Sequence, residues 1–106
     1  MLSVVILGTG NLAKHLFGAF SKTGQVQVVQ VVGRNEKRLE QYFGNTIISP
    51  DFGTIKNADV YIIAVSDRAI GDVSKFLLNK KGLVVHTSGA IDMNVIQTGN
   101  RGVFYP

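Results

Sequence analysis

Apolar residues in this chain gather into short blocks: Leu2 to Leu7, Val26 to Val32, Thr46 to Ile48, Val60 to Val65, Leu83 to His86 and Val103 to Tyr105. Most of the blocks run continuously instead of alternating with polar residues. They therefore read as strands buried on both faces, the mark of a parallel sheet. Amphipathic stretches lie between them. Asn11 to Lys22 puts Leu12, Leu16, Ala19 and Phe20 on one stripe, with Gly24 as a stop signal. Glu36 to Phe43 groups Leu39, Tyr42 and Phe43 ahead of Gly44, and Arg68 to Leu78 groups Ile70, Val73, Phe76 and Leu77. Asp92 to Gln97 forms a shorter fourth candidate with Asp92 as its N-cap. Strand and helix alternating in this way predict an α/β fold, a Rossmann-like doubly wound parallel sheet of about six strands with helices on both faces.

Length and composition narrow the setting. At 106 residues and 45% apolar content the chain is one domain with one core. It has no cysteine, which excludes disulfides and thiolate metal sites, fits a reducing cytoplasmic setting, and leads us to expect no metal. No apolar run approaches the ~20 residues a membrane span needs, so no membrane partner is expected. Eleven basic residues against seven acidic ones give a charge of +4, and the densest basic cluster is Arg34, Lys37 and Arg38. No aromatic residues interleave with these cations as a base-stacking platform would require, so nucleic acid is not the expected partner. The sequence stops at Tyr105-Pro106 directly after a predicted strand, so residues 1–106 are expected to be the N-terminal part of a longer two-domain protein.

The first strand runs into Gly8-Thr9-Gly10-Asn11-Leu12-Ala13, a G-x-G-x-x-A turn that opens a helix. The first glycine permits the tight turn, the second admits a pyrophosphate to the main chain, and Ala13 lets helix and strand pack closely. Free amides and the positive helix end favour a diphosphate there. Two glycines also suffice for a plain strand-to-helix turn, but the strand, motif, helix and second strand in sequence favour a dinucleotide. An NAD site carries an acid about 20 residues past the motif, whereas a 2′-phosphate calls for Arg. Here the second strand ends in Gly33-Arg34-Asn35, with Arg38 nearby, which favours NADP over NAD. Arg34 offers a planar fork to adenine and phosphate, and Asn35 a neutral donor. The alternative is a solvated basic turn.

Two further strand ends belong to the same edge. Ala64, Val65 and Ser66 should face the cofactor, since ligands of open α/β sheets bind beyond the carboxyl ends of the strands. Asp67 is read as a helix cap before a catalytic group. The fifth strand ends in His86-Thr87-Ser88-Gly89, where His86 reads as a core histidine and Ser88 as the one weak catalytic candidate, able to bond substrate or the nicotinamide carboxamide, or else a turn residue. No hydrolase elbow surrounds Ser88.

Taken together, Gly8 to Ala13, Gly33-Arg34-Asn35, the "AVSD" loop, "HTSGA" and the closing "FYP" resemble the N-terminal Rossmann domain of NADP-dependent oxidoreductases related to pyrroline-5-carboxylate reductase and the deazaflavin-dependent NADP reductases. Within that group the chain is most similar to a branch with a helical C-terminal domain like that of 6-phosphogluconate dehydrogenase. The resemblance implies hydride transfer to or from a small carbonyl or imine substrate, and a homodimer built through the C-terminal domain. It maps Gly8, Gly10, Asn11, Leu12, Arg34, Asn35, Val65 and Ser88 to positions facing the cofactor, and carries over no catalytic acid or base. The rival readings are a dinucleotide-sensing module without turnover and a methyltransferase. The latter wants an acid where Arg34 stands.

Overall fold

The computed structural model describes residues 2–44, 46–65, 69–86 and the backbone of 101–103. In chain order the elements are β1 (Leu2–Leu7), α1 (Asn11–Ser21), β2 (Val26–Val32), α2 (Glu36–Phe43), β3 (Ile48–Ser49), β4 (Val60–Ile63), α3 (Ile70–Ser74), β5 (Leu83–His86) and β6 (Arg101–Val103). The six strands form one parallel sheet in the order β3-β2-β1-β4-β5-β6. The chain winds outward from β1 to β3, returns to the centre, and winds outward again from β4. This is the doubly wound α/β fold that the blocks of apolar residues predict.

Burial on both faces explains the continuous apolar runs. From β1, Val5 and Leu7 enter a core with Val32, Tyr61, Ile63 and Val84, covered by Ile70, Val73 and Leu77 of α3 and the turn after it. Val4 and Ile6 point the other way and meet Val31, Ile62 and Val85 beneath Ala13 and Leu16 of α1 and Leu39 and Phe43 of α2. Phe17 and Phe43 join the two helices edge to face, with centroids 5.3 Å apart.

Four expectations need correction. Ala19 is exposed, and the buried stripe of α1 centres on Ala13 and Leu16 with Leu12, Phe17 and Phe20 packed beside them. Phe76 is 46% exposed, because α3 tightens into a 3-10 turn over Lys75–Leu77 that rotates it away from the sheet. β3 lies at Ile48–Ser49, later than Thr46 to Ile48, and β4 stops at Ile63, before Val65. At the far edge, β6 ends at Val103, and residues 104–106 lie outside the described residues, as does the helix expected at Asp92 to Gln97.

The run Val26-Gln27-Val28-Val29-Gln30-Val31-Val32 conceals a register slip. Val4 pairs with Val28 but Val5 pairs with Gln30, so β2 carries one extra residue, a bulge that shifts its side-chain phase. Gln30, the residue just past the slip, is 2% exposed. Its amide nitrogen donates to the Thr54 carbonyl at 3.1 Å and its oxygen accepts from the Lys56 amide at 2.8 Å. The connection from β3 to β4 thus hangs on a side chain of β2. Gln30→Leu is expected to destabilise the fold by about 1–2 kcal/mol in a chemical-denaturation experiment, since it strands two part-buried main-chain groups.

At the opposite end of the sheet Ser3 and Asp59 bond reciprocally. The Ser3 amide and hydroxyl donate to Asp59 Oδ2 at 2.9 and 3.0 Å, and the Asp59 amide donates to Ser3 Oγ at 2.9 Å. The bond from the Ser3 amide, then that from its hydroxyl, holds the Asp59 carboxyl below its ordinary value of 3.8. A carboxyl depressed in the folded state stabilises fully above the unfolded value and loses that contribution as pH falls through the folded one. In acid titrations below pH 3.8, Asp59→Asn should therefore show a shallower fall in stability than the parent chain.

Candidate functional site

The chain exits of β1, β2 and β4 meet at one edge, where the winding direction reverses. The Gly8 amide donates to the Val32 carbonyl at 2.7 Å, Ala64 to Leu7 at 2.7 Å, and Gly33 to Ser49 at 3.1 Å. Open α/β sheets place their crevice at such a switch point.

The glycines of the turn are needed for different reasons. Gly8 has φ 136°, and a Cβ there would lie 2.2 Å from the Ala64 carbonyl oxygen, so the fold itself requires glycine. Gly33 likewise admits the Thr9 methyl, 2.5 Å from where its Cβ would be. Gly10 differs. It sits at the N-cap of α1 with φ −75° and ψ −174°, which any residue adopts, and a Cβ would meet nothing within 4 Å. Having no side chain, it makes no cap hydrogen bond, where Ser, Thr, Asp or Asn would satisfy the helix end. The first turn also contains no acid, so the positive end of an 11-residue helix is left uncompensated. Amides of that turn lack intrahelical acceptors, the helical ladder starting with Lys14 bonding back to Gly10 at 3.1 Å. The result is an open cradle of helix amides that a side chain at position 10 would fill. Ala13 is fully buried, as the motif's close packing requires.

From this cradle a cleft of about 320 Å³ runs along the sheet edge, at the lower end of the ~300–1,000 Å³ range of small-molecule sites. Gly8, Thr9 and Gly10 form its floor with Ala64 and Val65, and Arg34 stands at one side. Four residues that sequence reasoning missed complete it: Phe52 from the turn after β3, and Ala69, Asp72 and Val73 from α3 and its approach. A signal existed for the last three. Positions 69, 72, 73 and 76 follow helical spacing on one face, and Phe76 stacks on Phe52 with centroids 5.6 Å apart. Phe52 follows the carboxyl end of a strand, where such clefts form.

The two arginines part company. Arg34 is exposed, with its guanidinium carbon 5.5 Å from the Phe52 ring centroid, and pairs with no carboxylate among the described residues. Arg38 instead braces the turn: Nε donates to the Thr9 carbonyl, Nη2 to Asn11 Oδ1 at 3.4 Å, and the guanidinium lies 4.8 Å over Tyr42. Lys14 Nζ also lies over that ring, at 4.1 Å. Asn35 caps α2, its Oδ1 accepting from the Arg38 amide at 3.2 Å. The Leu12 side chain packs into the core. Hence Gly8, Thr9, Gly10, Arg34, Ala64 and Val65 come together in the cleft, Asn11 and Leu12 open the adjoining helix, and Asn35 and Arg38 stand behind it. Ser66 and Ser88 lie outside the described residues. His86 is fully buried at the end of β5, in register with Ile63. Among the described residues no cluster of acids and histidines is arranged to hold a metal, and no helix is long and apolar enough to cross a membrane.

Comparison with known proteins agrees with this geometry. A Bacteroides fragilis protein assigned as an NADP oxidoreductase is 32% identical and superposes with a TM-score of 0.85, over 99% of this chain and 43% of that one. Biliverdin reductase from Synechocystis, solved with biliverdin and NADP+, gives a TM-score of 0.75 at 18% identity over 96% of this chain and 37% of its own. For myo-inositol dehydrogenase from Lactobacillus casei, solved with NAD(H) and myo-inositol, the values are 0.68, 16%, 83% and 28%. At these lower identities the likeness is one of fold alone. The chain spans less than half the length of each of these relatives. Among curated proteins no match was found. Residues 3–89 match the family described as NADP oxidoreductase, coenzyme F420-dependent, and the chain belongs to that family of dinucleotide-binding oxidoreductase domains.

Proposed function

We propose that the chain binds NADP(H) and forms the N-terminal cofactor domain of a two-domain oxidoreductase that moves hydride to or from a small carbonyl or imine compound. The observation that carries this reading is Gly10, a glycine that neither backbone nor packing demands, placed where helix amides await an anion. The amides of Asn11 and Leu12 would hold the diphosphate. Arg34 at the exit of β2, with no carboxylate partner among the described residues, would take the 2′-phosphate through a charge-assisted pair. Arg38 and Asn35 fit support roles: Arg38 fixes the turn and Asn35 starts α2. Ala64 and Val65 would line the path toward the nicotinamide, with Ser66 following them. The cofactor supplies the hydride chemistry when bound, and this domain's part is orientation and exclusion of water. Ser88, two residues past the end of β5, would position substrate. The length of the Bacteroides fragilis relative supports a further domain, which would supply the dimer contacts and most of the substrate pocket.

Titration with both coenzymes should show tighter binding of NADP(H) than of NAD(H). Arg34→Ala should remove about 1.5–3 kcal/mol of NADP(H) affinity and weaken NAD(H) binding less, since only the stacking contact with adenine is lost there. Equal affinities in the parent chain, or a preference that survives the substitution, would sink the assignment.

The glycines give a paired test. Gly8→Ala is expected to cost about 2–4 kcal/mol of folding stability, through disallowed backbone and a main-chain clash. Gly10→Val should leave thermal unfolding almost unchanged yet abolish binding of either dinucleotide. Retained affinity in a folded Gly10→Val chain would refute the diphosphate cradle.

A further inference from the structure

The wall of the cleft contributed by α3 carries a charge that phosphate binding does not explain. Asp72 is the one carboxylate among the cleft-lining residues described, and it shares a helix face with Ala69 and Val73. A negative group is unfavourable beside a diphosphate, so it belongs at the part of the ligand that bears hydrogen-bond donors. Around it stand the surfaces a flat ring needs: the aliphatic Ala69 and Val73, the Phe52 ring, and the Arg34 guanidinium already lying over that ring. Asp72 is free to act. Its side chain is 78% exposed, its only described ion pair uses Oδ1 toward Lys75 Nζ at 3.6 Å, and Oδ2 accepts from no described residue.

We propose that Asp72 reads the base: its carboxylate accepts the exocyclic amine of an adenine ring held between Arg34 and the α3 wall, which makes the cleft selective for an adenine dinucleotide over its deaminated counterpart. This rests on the cleft being the dinucleotide site. Hypoxanthine puts a carbonyl oxygen where adenine has its amine, so the same carboxylate that accepts from one repels the other. Polar groups left unmatched in this way discriminate more strongly than missing apolar contacts. A mere first-turn acid paired with Lys75 would show no such preference, and that difference is measurable.

The test is a binding titration of the chain with NADPH and with reduced nicotinamide hypoxanthine dinucleotide phosphate. The parent chain is expected to bind the adenine form roughly tenfold more tightly. Asp72→Ala should bring the two affinities together, and Asp72→Asn, whose amide both donates and accepts, should do the same. Lys75→Ala removes the surface ion pair and should keep the preference. Equal binding of the two coenzymes by the parent chain, or a preference that persists in Asp72→Ala, overturns the proposal while leaving the cofactor reading intact. Binding of neither coenzyme by the parent chain overturns both.

Discussion

The site depends on how closely two strand ends approach each other. β1 and β4 are neighbours in the sheet but far apart in sequence, and the main chain leaving β1 passes so near the Ala64 carbonyl that no side chain fits between them. Glycine at position 8 permits that contact, and the contact aims the next residues away from the sheet and into α1. Had the turn been wider, the amide end of the helix would not overlook the crevice between the two halves of the sheet. The open cradle of helix amides is therefore a by-product of sheet closure at the switch point, and little else has to be built to obtain it.

Around this point the polar side chains divide into those that hold the scaffold and those that face the cleft. Arg38 ties the glycine turn to α2, whose start Asn35 caps and whose Tyr42 ring lies against the guanidinium, so the turn is braced from behind. Gln30 secures the segment that carries Phe52. Arg34 and Asp72 belong to the second group, and their charges stand exposed in the lining of the same opening. Two arginines four residues apart look equivalent in sequence, yet their surroundings give them unlike roles.

Much of the fold was legible because the signals were local. Continuous apolar blocks announce a sheet buried on both sides, and Gly24 and Gly44 mark where helices stop. The glycine turn with Ala13 identified the centre of the site for the same reason, since a short motif fixes its own backbone. What the sequence concealed depends on contacts between distant segments. The polar letter of Gln30 gives no sign that it is buried and bonds the segment between β3 and β4. Phe76 fits the apolar stripe of α3 until the helix tightens. Phe52 and Asp72 join the cleft only once the segments after β3 and β4 have been laid side by side.

The slip at Val28-Val29 has a consequence for how this domain tolerates change. Because the two halves of β2 are out of phase, the apolar pattern of its first three residues says nothing about which way its last three point. The extra residue acts as an adjustable washer between a conventional strand start and a strand end that must deliver Gly33 and Arg34 to the crevice. Deleting that one residue would bring the two halves into a single phase and turn the side chains of one of them to the opposite face of the sheet.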